Sequence, residues 1–378
     1  MTSPIPMVDL QAQRRRLGAS LDDAIARVLE HGQYILGPEV AELESRLAAY
    51  TGAAQCVTCA NGTDALEMVF RAEGVGPGDA VFVPAMTFVA TAEMVPGTGA
   101  TPFFVDVRPD TFNIDPASLQ AGIAEARRLR LRARLVVAVD LYGQPADYAQ
   151  LNDIARREDV RVVADAAQSI GGSVGGKRVG GLAPWSTTSF FPAKPLGAYG
   201  DAGAVFTHDD ERAAYLRSFR FHGRGADKND NIRLGRNSRL DTLQAAVLLA
   251  KLDILDDEIA ARQRVARRYN EALADIVQVP VIDDDTVSTW CYYTILVKDR
   301  NAVAASCRDV GVATSVCYPI PLHRQTGYQH FPSAPGGLPV ATRLGQQVIS
   351  LPMHPYLDEA AQARVIAAVR SGVASSES

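Results

Sequence analysis

The chain has 378 residues, 47% of them hydrophobic and 21% charged, with 38 Lys and Arg against 43 Asp and Glu for a formal charge of -5. That length suits a large domain with a smaller one attached, and a mildly acidic chain without a clustered basic surface points away from nucleic acid and toward a small-molecule partner. No secretory h-region opens the chain, no apolar run reaches the length of a membrane span, and the five cysteines are odd in number and scattered, so the expectation is a cytoplasmic protein with reduced thiols and no membrane contact.

In chain order, Pro38 suits a first helical position, and Val40, Leu43, Leu47 and Tyr50 recur at helical spacing until Gly52, predicting a helix with one buried face. A strand around QCVTCA follows. Its Cys56 and Cys59 have CxxC spacing, but a reactive pair needs the helix N-terminus that lowers a thiol pKa, and a strand does not supply one. The six histidines show no HxxxH or HExxH pairing, so no metal site is expected.

NGTDALEMVFRAEGV then reads as a loop opening into a helix. GDAVFVPAMTFVATAEMV predicts a strand and a helix, TPFFVDV a strand, and EARRLRLRAR a solvated helix and turn. RLVVAVDLYG is a further strand, followed by a helix near 147–158 and the strand VRVVAD. Strands alternating with helices imply an α/β fold with a mainly parallel sheet covered on both faces.

From LDTLQAAVLLAKLDILDDEIAARQRVARRYNEAL the helical period continues unbroken, predicting one extended helix that leaves a large domain, 1–250, for a small C-terminal α/β domain, 251–378. That second part holds an aromatic strand (WCYYTILV), a helix after Asp299, a Pro-rich turn (YPIPLH) and a last amphipathic helix. The polar tail SGVASSES is expected to fray.

The chemistry gathers at strand ends. Asp165 closes RVVAD, and ligands of open α/β sheets collect at the carboxyl ends of strands. Lys194 lies one strand and loop further on, in SFFPAKPLGAYGDAGAVFT, where apolar and Gly-rich surroundings can lower a lysine pKa enough for a nucleophile and base. A lysine with a carboxylate partner fits pyridoxal 5'-phosphate: the lysine holds the aldehyde and the aspartate keeps the pyridine nitrogen protonated.

A phosphate site is available where Gly62 and Thr63 open the helix DALEMVF, because a helix N-terminus presents free N–H groups and its positive dipole end. Ser189 adds a hydroxyl, and the Phe88 ring is placed to stack on the cofactor. Taken singly, NGT also fits a plain turn, Ser189 a strand-end hydroxyl and Phe88 a core residue.

DAAQS, SFFPAKPLGAYGDAGAVFT, NGTDAL and GRNSRLDTLQAA together resemble the DegT/DnrJ/StrS-type nucleotide-sugar aminotransferases, from GQYILGPEVAELE to SLPMHPYLD. The resemblance implies a fold-type I aminotransferase and a homodimer with shared active sites. It implies Lys194 as covalent anchor and proton shuttle, Asp165 at the pyridine nitrogen, and Gln168 at the phenolic oxygen. Gly62, Thr63 and Ser189 would hold phosphate, and Phe88 would cover the ring. Asn237 would reach the phosphate and Arg239 the sugar of the second subunit's site.

From the residues alone, Asn237 also fits a helix N-cap. The arginines from Arg217 to Arg239 fit either a solvated loop or the mouth where a nucleotide diphosphate enters.

Relatives that dehydrate sugars carry histidine at the lysine position, so Lys194 points to transamination. The runs around Lys194, NSRLDTLQAA and YPIPL are most similar to the subgroup that aminates C3 of UDP-2-acetamido-2-deoxy-3-ketoglucuronate for surface polysaccharide, with glutamate as the usual donor. Tyr318 and His323 are then candidates for substrate contact, or else a packed aromatic and a turn histidine. Cys317 stands where the subgroup has an imidazole, and Ala202 where a glycine is common. A C4-keto deoxysugar, a cyclitol, or a non-catalytic regulatory role are the other readings; intact Lys194, Asp165 and Gln168 speak against the last.

Overall fold

The computed structural model describes residues 3–375. Its main sheet takes β1 Gln55–Cys59, β2 Asp79–Pro84, β3 Thr101–Val105, β4 Arg132–Val139 and β5 Arg161–Asp165. After the short strands β6 Ser173–Val174 and β7 Lys177–Arg178 come its last two members, β8 Trp185–Ser189 and β9 Gly203–Thr207. The order across the sheet is β1-β9-β8-β5-β4-β2-β3.

Pairs among β3, β2, β4, β5 and β8 are parallel. The exception is β9, antiparallel to both β8 and β1, because the chain doubles straight back after β8 through the Lys194 segment instead of crossing over a helix. Every residue of β2 and of β9 is buried, as continuous apolar strands under helices on both faces should be.

The predicted helix forms at Pro38–Thr51 with Val40, Leu43 and Leu47 buried, and Gly52 ends it at φ 74°. Tyr50 sits at the rim instead, its hydroxyl donating to Asp256 at 2.6 Å. Cys56 and Cys59 are both buried in β1. The Cys59 thiol donates to the Asn61 carbonyl at 3.2 Å, and burial raises its pKa.

Three expectations need correction. The long helix is two, Thr242–Leu252 and Leu255–Leu273, parted at Asp253 and at Ile254, whose φ of -110° and ψ of 0° break the ladder. The aromatic strand is shorter than WCYYTILV: Trp290 turns at φ 51°, and only Tyr293–Leu296 (β11) pairs, antiparallel to β12 Val348–Leu351. Before it, β10 Thr286–Val287 pairs with β6.

The tail does not fray where it is described: the last helix runs Glu359–Ser375. Gly372 lets it approach the helix Arg300–Asp309 so closely that a Cβ there would lie 2.6 Å from the Val303 Cα. The remaining residues of SGVASSES lie outside the described residues.

Around β11 and β12 a separate core forms from Val265, Tyr269, Tyr293, Ile349 and Val365. Leu322, Leu338 and Leu344 pack into the core of the main sheet instead.

His354 follows β12, 4% exposed, with neither ring nitrogen hydrogen-bonded among the described residues. Burial, and secondarily the Arg262 charge, push its pKa down to about 4. The unfolded chain therefore takes up this proton first as pH falls, and stability drops between pH 6.5 and about 4. The shift corresponds to about 3 kcal/mol. Urea unfolding of wild type and His354→Gln is expected to show a stability difference that shrinks by about that amount from pH 7 to pH 4; a pH-independent difference would assign the loss elsewhere.

Candidate active site

Val139, Asp165 and Ser189 are the last residues of β4, β5 and β8. All three line one cavity of about 440 Å³ at the carboxyl edge of the sheet. Gly62, Thr63, Phe88, Gln168, Lys194 and Tyr318 line it too. Eight of the sequence candidates, Asp165 and Ser189 with these six, thus sit where strand ends, a helix start and the C-terminal segment meet.

At one end stands the N-terminus of the helix Gly62–Ala72. Asn61 caps it, its side chain accepting from the Asp64 amide at 2.8 Å, which leaves the Gly62 and Thr63 amides as orphan donors of the first turn. Gly62 is required by closeness: a Cβ there would lie 2.7 Å from the Ser189 Cβ. Ser189 Oγ accepts from the Phe191 amide at 3.2 Å and keeps its proton to donate. Backbone donors, a helix dipole and a hydroxyl together make a phosphate cup.

Asp165 is 7% exposed. It accepts from Thr91 Oγ1 at 2.9 Å and from the Ala167 amide at 3.3 Å, and Thr91 is in turn 2.9 Å from the Thr87 hydroxyl. Burial raises its pKa, with those hydrogen bonds and then the Lys194 charge pulling the other way. A carboxylate in that position is stabilised by a cationic N–H brought into the cavity. The Lys194 amine has no hydrogen-bond partner among the described residues, so it is available to a ligand.

Gln168 is oriented from two sides. Its Oε1 accepts from the Tyr142 amide at 2.6 Å and its Nε2 donates to the Tyr318 hydroxyl at 3.4 Å. Phe88 is 55% exposed, which excludes the core reading; its ring lies 6.2 Å from that of Tyr318.

Asn237, Arg239 and His323 do not line this cavity. Asn237 is exposed and bridges Phe221 in backbone pairing. It is not a helix N-cap, a position that Asp241 takes. Arg239 lies over the Phe221 ring at 5.1 Å. His323 sits on a short turn with Nε2 3.5 Å from Thr342 Oγ1, and burial lowers its pKa. The arginine segment is largely committed within the chain: Arg220 reaches Glu44 and the Thr58 carbonyl, and Arg236 pairs with Glu67 at 2.8 Å.

Sequence reasoning missed several residues here. Thr91 and Thr87 form the hydroxyl chain behind Asp165, but isolated threonines carry no spacing signal. Asn61, Asp201 and Tyr292 also line the cavity. Asp140, fully buried just after β4, accepts from Ser169 Oγ at 2.6 Å, Tyr148 at 2.7 Å and the Ala146 amide at 2.8 Å, and its own amide donates to the Asp165 carbonyl at 3.1 Å. Burial pushes its carboxyl up to about 7. Only the strand-end position beside Asp165 hinted at it.

Tyr318 also borders a second groove of about 380 Å³ that holds Arg324.

The residues fit pyridoxal phosphate: an unengaged lysine amine, a buried carboxylate for the ring nitrogen, and a phosphate cup share one cavity. With the seven-stranded sheet this defines a fold-type I pyridoxal-phosphate aminotransferase. The sequence profile of the DegT/DnrJ/EryC1/StrS aminotransferase family matches residues 16–370, and the chain belongs to that family.

It is 48% identical over 366 residues to the UDP-2-acetamido-2-deoxy-3-oxo-D-glucuronate aminotransferase of Pseudomonas aeruginosa, covering 97% of this chain and 99% of that protein. It is 39% identical over 367 residues to the UDP-N-acetyl-3-dehydro-alpha-D-glucosamine 3-aminotransferase of Acidithiobacillus ferrooxidans, covering 97% of this chain and 97% of the other. The crystal structure of a family aminotransferase from Brucella abortus superposes with a TM-score of 0.96 at 50% identity, over 97% of this chain and 98% of that one.

Proposed function

We propose that the chain transfers an amino group from glutamate to C3 of UDP-2-acetamido-2-deoxy-3-oxo-glucuronate, in the making of bacterial surface polysaccharide. The observation that carries the reading is the shared cavity of Lys194, Asp165 and the Gly62–Ala72 helix start, in a chain similar along its whole length to an aminotransferase for that sugar.

When bound, pyridoxal phosphate supplies the electron sink for a carbanion at the reacting carbon. Lys194 anchors the cofactor between turnovers and, once released, moves the proton between substrate carbon and cofactor C4'. Asp165 holds the ring nitrogen protonated, and Gln168 faces the phenolic oxygen. Gly62 and Thr63 amides with the Ser189 hydroxyl bind phosphate, and Phe88 covers the ring. Donor and acceptor use one cavity in turn, which gives ping-pong kinetics.

Asn237 and Arg239 extend from a homodimer partner's side into the neighbouring site, Asn237 to phosphate and Arg239 to sugar; their place outside their own chain's cavity supports this. Tyr318 contacts the sugar from the cavity wall, and His323 contributes from the turn behind it. The enzyme acts in the cytoplasm; among the described residues no helix is long and apolar enough to cross a membrane. The division into a large domain, 1–250, and a small one, 251–378, is part of the same proposal and is supported by the separate core around β11 and β12.

A 3-oxo sugar without the C6 carboxylate is the second reading. Cys317 favours it, since it lines the cavity and is a poorer hydrogen-bond donor than an imidazole.

The test is the visible spectrum of the cofactor-loaded protein mixed, without keto acid, with UDP-2-acetamido-3-amino-2,3-dideoxyglucuronate. Bleaching of the lysine-bound cofactor's band is expected. An unchanged band that glutamate still bleaches would reject the glucuronate, and the same assay with the C6-hydroxymethyl amino sugar then checks the second reading.

A further inference from the structure

The loop carrying Lys194 is gripped by the helix Thr242–Leu252. Gln244, Leu248 and Lys251 recur at the spacing that places residues on one helical face. Gln244 Oε1 accepts from the Tyr199 amide at 2.8 Å. Between the two polar residues Leu248 packs with Leu196 and Ala198. At the far end the Lys251 ammonium donates to the Gly197 carbonyl at 2.6 Å and lies 4.2 Å from the centre of the Tyr199 ring.

Lys251 is 1% exposed and has no carboxylate in ion-pair contact among the described residues. An ammonium taken out of water with no carboxylate in contact is costly, and burial pushes this one down to about 8 although the Glu258 charge pulls the other way. An apolar side chain of equal volume would fill the space without that cost. What it could not do is hold the Gly197 carbonyl.

That carbonyl belongs to a segment folded tightly on itself. The Lys194 amide donates to the Phe191 carbonyl at 2.8 Å, and the Ala198 amide to the Phe190 carbonyl at 2.7 Å. A Cβ on Gly197 would lie 2.4 Å from the Pro192 carbonyl oxygen. Fixing Gly197 and Tyr199 therefore fixes the backbone from which Lys194 projects. Neither Lys251 nor Gln244 lines the cavity.

We propose that Lys251, seconded by Gln244, is a positioning residue that holds the Lys194 loop so that the Lys194 amine is presented to the cavity. The proposal rests on Lys194 being the cofactor lysine.

The test compares wild type with Lys251→Met, which keeps the volume and removes the donor. Amide hydrogen exchange over residues 190–202 is expected to speed up about tenfold, with β11 and β12 unchanged. The single-turnover rate with glutamate is expected to fall about tenfold while half-saturation moves less than about twofold, as a misplaced amine requires. Unchanged exchange in the loop, or equal acceleration throughout the protein, overturns the proposal. If Lys251→Met does not fold, Gln244→Ala loosens the Tyr199 end and is expected to give the same local pattern at about threefold. A wild type inert to glutamate would defeat the proposal of glutamate as donor, and the exchange data would still decide what Lys251 does.

Discussion

Alanine in place of Lys194 is expected to lower steady transamination by about 10⁴-fold or more, since it removes both the covalent anchor and the positioned base. Cofactor should still bind, because the phosphate cup at Gly62, Thr63 and Ser189 and the carboxylate of Asp165 do not depend on the amine. Folding should change little. The amine makes no hydrogen bond among the described residues and the side chain is only half-buried, so a stability change within about 0.5 kcal/mol is expected. Turnover and cofactor retention after gel filtration check the two halves separately. Retained turnover would remove Lys194 from the centre of the mechanism.

How far the sequence led differs with the kind of signal. Lys194, Asp165 and Ser189 could be picked out because each lies at a strand end or in the turn just beyond it, where position itself carries meaning, whereas Gln168 was singled out only through the family resemblance of DAAQS. Gly62 and Thr63 were legible from a loop running into a helix, and the structure adds the reason for glycine, contact with Ser189.

Thr91, Tyr292 and Asp140 were not legible. Their roles come from tertiary convergence: Thr91 reaches Asp165 across 74 residues and Asp140 takes the Ser169 hydroxyl across 29, while Tyr292 meets the cavity from the C-terminal segment, separations no local pattern records. The helix break at Ile254 escaped for the opposite reason, since apolar periodicity runs straight through it. The C-terminal residues looked too polar to order, yet Gly372 supplies a close helix contact that composition cannot show.

Asp165→Asn is expected to slow proton abstraction in the glutamate half-reaction by about 10²- to 10⁴-fold, because an amide cannot hold the ring nitrogen protonated. The local hydrogen bonds make this a test of charge more than of shape. With the amide oxygen toward Thr91, the 2.9 Å bond from the Thr91 hydroxyl survives and only the weaker 3.3 Å bond from the Ala167 amide is lost.

Stability should move the other way from activity. Burial raises the Asp165 pKa in the folded protein, so the folded state holds this proton to higher pH than the unfolded chain, and ionisation costs stability as pH rises above the usual carboxylate value. Asparagine has no such cost. The cofactor-free variant should therefore melt no lower than wild type at pH 7, and its advantage should vanish as the pH is brought down toward the ordinary carboxylate range. Thermal melts across that range and stopped-flow kinetics with glutamate make the measurement. A near wild-type rate would mean that another group keeps the ring protonated, and a lower melting temperature at pH 7 would mean that the Thr91 chain, more than the charge, is what Asp165 maintains.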